Sequence, residues 1–118
     1  MSTKVHCYVR THRRRWGLTQ AQVANLLPGG GRNRVSRVER DKTPPNAAEI
    51  LAYKLIFGSS CRFLFPRFHE EIEDAVMRSA YELHKAMIGD GSERAANLRK
   101  FIEQMFARAT RKPNHGKP

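Results

Sequence analysis

The sequence predicts an all-α protein, and three observations carry that prediction. Apolar residues recur at spacings of three and four along most of the chain, the period of one helix face. Glycine and proline clusters cut the pattern into segments of helical length. Two of the segments open on capping residues: Thr19, with Gln22 three positions later, and Ser92 ahead of a fresh apolar stripe.

Residues 5–16 form the first predicted helix. Val5, Tyr8, Val9, His12 and Trp16 make its apolar stripe, with Arg10, Arg13, Arg14 and Arg15 between them, and Gly17 ends it. Thr19 opens the second, whose buried side is Val23, Ala24, Leu26 and Leu27, and Pro28 stops it. The turn Pro28-Gly29-Gly30-Gly31 has no apolar residue of its own.

The third helix, from Arg32 to Arg40, is short and charge-unbalanced. Val35 and Val38 anchor it, while Arg32, Asn33, Arg34 and Arg37 point elsewhere. An outward Arg and Asn set suits major-groove recognition, because Arg pairs with guanine O6 and N7 and Asn with adenine N6 and N7. The plain alternative is a solvated basic helix.

Pro44 and Pro45 keep Asp41–Asn46 a loop, and Ala47 to Phe57 then forms a fourth helix. Ser60 is placed to cap a short fifth, ending at Phe65-Pro66. A long amphipathic helix follows on Phe68, Ile72, Val76, Ala80, Leu83 and Met87, and Gly89-Asp90-Gly91 breaks it. A final helix carries Ala95, Leu98, Ile102, Met105 and Ala109, flanked by Phe101 and Phe106. These last two helices make an αα-hairpin whose apolar faces require a partner: the first domain or a second copy. Leu83, Met87, Leu98, Ile102 and Met105 are the expected dimerisation residues. The expected division is a domain over 1–66, a helical hairpin over 67–110 and a flexible basic tail over 111–118.

Charge narrows the function. The 118 residues hold 22 Lys and Arg against 11 Asp and Glu, a net charge of +11. Residues 1–66 carry twelve of the basic side chains and only three acidic ones. That imbalance implies a polyanionic partner for the first half. Two cysteines, Cys7 and Cys61, make no disulfide framework, and no apolar run approaches membrane-spanning length, so a reducing cytoplasm is expected.

Metal and catalytic readings are weak. No His or Cys pair has ligand spacing, and His12 lies on the apolar stripe as a packed histidine. Neither cysteine has a base and an orienting group in a legible context, so no enzyme, cofactor or metal is expected. Trp16 and Tyr8 are expected in the core, which argues against a base-stacking platform for RNA.

Two helices joined by a Gly-containing turn, the second basic, form a helix-turn-helix arrangement. The stretches "GLTQAQVANLL", "RVSRVERDKTPPNAAEIL" and "FGSSCRFLFP" resemble the five-helix DNA-binding domain of phage repressor, Cro and Xre-type regulators, over about residues 5–66. The stretch "AYKLIFGSSCRFLFPRFHEEIEDAV" further resembles a bacterial subgroup with a helical C-terminal extension.

The resemblance implies a double-stranded DNA partner, a homodimer and a repressor's role. It implies that Arg32, Asn33 and Arg37 face bases, with Arg34 on the flank between groove and backbone. Thr19 and Gln20 match the start of the second helix, where Gln20 touches a phosphate and braces the reading helix. Lys42, Thr43 and Asn46 match a loop resting on the DNA backbone, and Arg13 and Glu39 an internal ion pair. The turn is one residue longer than the family's, glycines replace its apolar plug, and Asp41 replaces a customary Gly. Family members also serve as antitoxins or mobile-element switches, whose C-terminal helices grip another protein.

Overall fold

Seven α-helices make up the residues described by the computed structural model, 7–110, and no strand occurs among them. They are α1 (Val9–Arg15), α2 (Gln20–Leu26), α3 (Arg32–Glu39), α4 (Ala47–Phe57), α5 (Cys61–Leu64), α6 (Pro66–Ala86) and α7 (Glu93–Thr110). The expected helix start at Val5 and the tail from Arg111 to Pro118 lie outside the described residues.

The chain divides into two compact units between Glu70 and Glu71, inside α6. The expected boundary after residue 66 falls a turn earlier, at the start of that helix. Phe68 accounts for the difference, because it packs against the first unit's core.

That first core gathers Val9 from α1, Val23 with Leu27 of the α2 C-cap, Val35 and Val38 from α3, and Tyr53 from α4, closed by Leu64 and Phe65. Burying the two valines of α3 stabilises its seat by about 1.5 kcal/mol or more each. Local sequence fixes the ends of the helices around this core. The Thr19 hydroxyl accepts from the Gln22 N–H at 3.0 Å while the Gln22 side chain accepts from the Thr19 N–H at 2.8 Å. Asn46 and Glu49 repeat the exchange at the start of α4, both at 2.8 Å. Each such cap is worth about 1 kcal/mol. Gly58, at φ 74°, closes α4.

The turn before α3 needs glycine for a second reason. Gly30 has φ +78°, and a Cβ there would lie 2.9 Å from Cγ of Arg34. Asp41, just past α3, takes the left-handed φ of 59° that ordinarily favours glycine.

Several expectations are corrected. Trp16 is 71 % exposed and Tyr8 37 %, so neither belongs to the core. α1 ends at Arg15, and Trp16 follows as its C-cap just before the reversal at Gly17, so the stripe stops one turn short of it. Leu26 is exposed on α2. On α4, Glu49 and Tyr53 are buried while Leu51 and Leu55 are exposed, Leu55 at 87 %. That helix is apolar nearly all round, so its period does not say which side turns inward. Ser60 occupies the N-cap of α5, but its side chain makes no capping bond. Its backbone carbonyl accepts from Phe63 and Leu64 instead.

In the second unit the Ser92 hydroxyl accepts from the Ala95 N–H at 3.1 Å and opens α7. Arg99 stitches the turn, donating to the carbonyls of Met87 and Asp90 at 2.8 and 3.0 Å. His84 of α6 meets Glu103 of α7 at 3.0 Å. Ile102 is only 1 % exposed within the single chain, buried inside its own unit. Of the other expected dimerisation residues, Leu83 is exposed and Met87, Leu98 and Met105 are half-buried.

No described helix is long and apolar enough to cross a membrane.

Candidate nucleic-acid interface

The arginines of the first unit separate into two groups with different chemistry. Arg13 is buried on α1 and holds Glu39 of α3 by two hydrogen bonds, Nε to Oε2 at 2.6 Å and Nη2 to Oε1 at 3.1 Å. Its third donor reaches the Leu18 carbonyl at 2.9 Å. The Gln20 amide donates to the same carboxylate at 3.1 Å, so α1, the start of α2 and the end of α3 meet on Glu39. This ion pair is the one expected between Arg13 and Glu39, and its charges cancel locally.

Arg34 is also committed. It makes a forked pair with Glu49 of α4, both bonds at 2.7 Å, and donates to the Pro44 carbonyl and, at 3.3 Å, to the Thr43 hydroxyl. The hydrogen bonds from Arg34 hold the Glu49 carboxyl below its ordinary range, against the opposing effect of burial. Thr43 and Asn46 are thereby engaged inside the protein, Thr43 as an acceptor for Arg34 and Asn46 as the cap of α4. Arg34 thus spans from α3 to the 43–49 segment, a link that the spacing of residues gave no reason to expect. One signal for Glu49 was present: Asn46-Ala47-Ala48-Glu49 has capping-box spacing, which places the carboxylate at the first turn of α4.

The second group has no internal use. Arg32, Asn33 and Arg37 on α3, with Arg10, Arg14 and Arg15 on α1, make no side-chain hydrogen bond or ion pair within the described residues. Lys42 is likewise exposed and unpaired. Asn33 and Arg37 are four apart and share the stripe opposite Val35. Arg32 lies off that stripe. It lines a groove of about 660 Å³ together with Arg10, Arg14, Thr19, Gln20 and Arg40, with the Arg13–Glu39 pair in its wall. Four of these guanidinium groups lack a carboxylate partner within the described residues. The structure therefore brings Arg32, Thr19 and Gln20 together around an anion-attracting groove, and sets Asn33 and Arg37 on the adjoining helix face.

The remaining reactive groups lie away from this face. Burial pushes the Cys7 thiol up to about 11, where it stays protonated and unreactive at neutral pH. His12 packs against Phe57 with ring centres 5.6 Å apart, and burial, then Arg15, lower its pKa. Among the described residues no group of three or more His, Cys, Asp or Glu could hold a metal ion. The Tyr53 hydroxyl is buried with no hydrogen-bond partner among the described residues, and burial raises its pKa.

No protein-family model, curated protein or solved structure matches the chain.

Proposed function

We propose that this chain is a sequence-specific regulator that binds double-stranded DNA through α3, working as a homodimeric repressor on an inverted repeat. In this reading α1–α5 form a five-helix, repressor-like helix-turn-helix domain, and α6 and α7 the C-terminal arm. The protein works without catalysis, cofactor or metal.

One observation carries the proposal. The two arginines that fix α3 in place, Arg13 and Arg34, are internally paired, while Arg32, Asn33 and Arg37 are exposed and unpaired among the described residues. A helix clamped at both ends with spare bidentate donors on its outer face suits base recognition. The groove beside it, with Arg10, Arg14 and Arg40, suits backbone phosphates. Arg34 drops out as a flanking contact, since its guanidinium is spent on Glu49.

Selection from a random duplex pool at about 150 mM salt tests this. The expected outcome is an enriched inverted repeat with half-site centres about ten base pairs apart. Binding without any enriched sequence would reduce the basic face to a non-specific electrostatic surface. The runner-up is a regulator whose arm grips another protein, with DNA binding serving only its own promoter. The exposed apolar residues of α6 favour that reading where the purified chain proves monomeric.

A further inference from the structure

The groove beside α3 is larger and more strongly charged than contact with a single backbone phosphate requires. Its volume of about 660 Å³ falls within the range of small-molecule sites, about 300–1,000 Å³. Arg10 and Arg14, four apart on one face of α1, line it from that helix. Arg32, the first residue of α3, and Arg40, its C-cap, line it from the two ends of α3. All four are exposed, and none has a carboxylate partner among the described residues. Arg40 engages only its Nε, on the Ser36 carbonyl at 3.4 Å, which leaves both terminal nitrogens to donate elsewhere.

The carboxylate in the lining, Glu39, does not cancel these charges. Two donors of Arg13 and the amide of Gln20 already occupy its oxygens, at 2.6, 3.1 and 3.1 Å. Four uncompensated guanidinium groups therefore border one concavity. Each is a planar fork that matches two phosphate oxygens.

From this arrangement we infer that the groove is a binding site for a small oligophosphate, a condensed chain of phosphates either free or carried by a nucleotide. A duplex strand spreads its charges along the outside of a rod, one per about 3.4 Å of axis, and meets a groove only at its mouth. A condensed chain carries its charges on adjacent phosphorus atoms and is small enough to enter. The regulatory consequence rests on the DNA reading above. Arg10, Arg14 and Arg40 cannot hold both anions at once, so a bound oligophosphate displaces the duplex.

The test is calorimetric titration of the full chain, without DNA, by inorganic triphosphate at about 150 mM salt. One ion should bind per chain, with a Kd below about 1 mM. Arg14→Glu should weaken binding about tenfold or more. Arg15→Glu, the same change in net charge at an exposed residue outside the groove, should leave it within about threefold. Circular dichroism should show both variants folded, since both side chains are exposed. Adenosine triphosphate distinguishes the two sources of phosphate: tighter binding places a base against Leu18 and Ala21, and equal binding assigns the phosphate chain alone. No saturable binding, several weak ions per chain matched by sulfate, or equal losses in Arg14→Glu and Arg15→Glu would each overturn the site. Competition against labelled duplex forms a separate arm. Release by triphosphate, but not by sulfate at equal ionic strength, supports shared use of the groove. Duplex that stays bound at saturating triphosphate overturns that use. A chain that binds triphosphate and no duplex would defeat the DNA reading and not the site.

Discussion

At the scale of single residues, Arg34 and Arg37 make the sharpest contrast in the molecule. They are three positions apart on one short helix, yet one closes a forked ion pair and the side chain of the other makes no hydrogen bond or ion pair among the described residues. Arg37→Ala should leave unfolding unchanged within about 0.5 kcal/mol. It should cost about 1–3 kcal/mol of binding to the selected operator and relax preference at one base pair. Arg34→Ala should do the reverse. It strands the buried Glu49 carboxylate, at a cost of roughly 2–3 kcal/mol in stability. Urea titration and competition binding on the two variants separate these outcomes. Equal loss of cognate and random DNA in Arg37→Ala would remove that residue from base recognition.

Among elements, the clamp on α3 links stability to pH. The Glu49 carboxyl is held down by Arg34, so its folded pKa lies below its unfolded one. The stability it supplies is therefore complete above the ordinary carboxylate pKa, about 4.3, and is lost as pH falls through the lower folded value. The stability gap between the native chain and Glu49→Gln should be widest near neutrality and close as pH falls below the ordinary carboxylate range. Unfolding midpoints across that range would show it, and a gap independent of pH would mean the pair contributes nothing beyond shape. This element also marks where the sequence was legible. Thr19 with Gln22 announced the start of α2, and Arg13 with Glu39 came from the family resemblance. The inward face of α4 was not legible, because apolar residues surround that helix and the burial of Glu49 depends on Arg34, fifteen positions earlier. Trp16 was misplaced for a similar reason: a three-and-four rhythm does not record that the helix stops one residue before it.

For the whole molecule, the distribution of charge determines how binding responds to salt. Residues 7–70 hold twelve Lys and Arg against four Asp and Glu, and the structure removes Arg13 and Arg34 from the set able to meet an outside anion. The exposed cations of the groove, Arg10, Arg14 and Arg40, are left for phosphates. Each phosphate they neutralise releases counterions and steepens the fall of log affinity with log salt by about 0.9. Arg14→Ala should thus weaken cognate and random duplex alike and flatten that slope by about 0.9 per chain. Titrations of both duplexes between about 50 and 200 mM salt measure it. An unchanged slope would place Arg14 away from the backbone, and a loss confined to the cognate duplex would make it a base contact. Arg13→Ala serves as the opposite control, since its charge is already cancelled by Glu39 at 2.6 Å. That variant should lose roughly 3 kcal/mol or more of stability from the uncompensated buried carboxylate. The protein that remains folded should keep its salt slope.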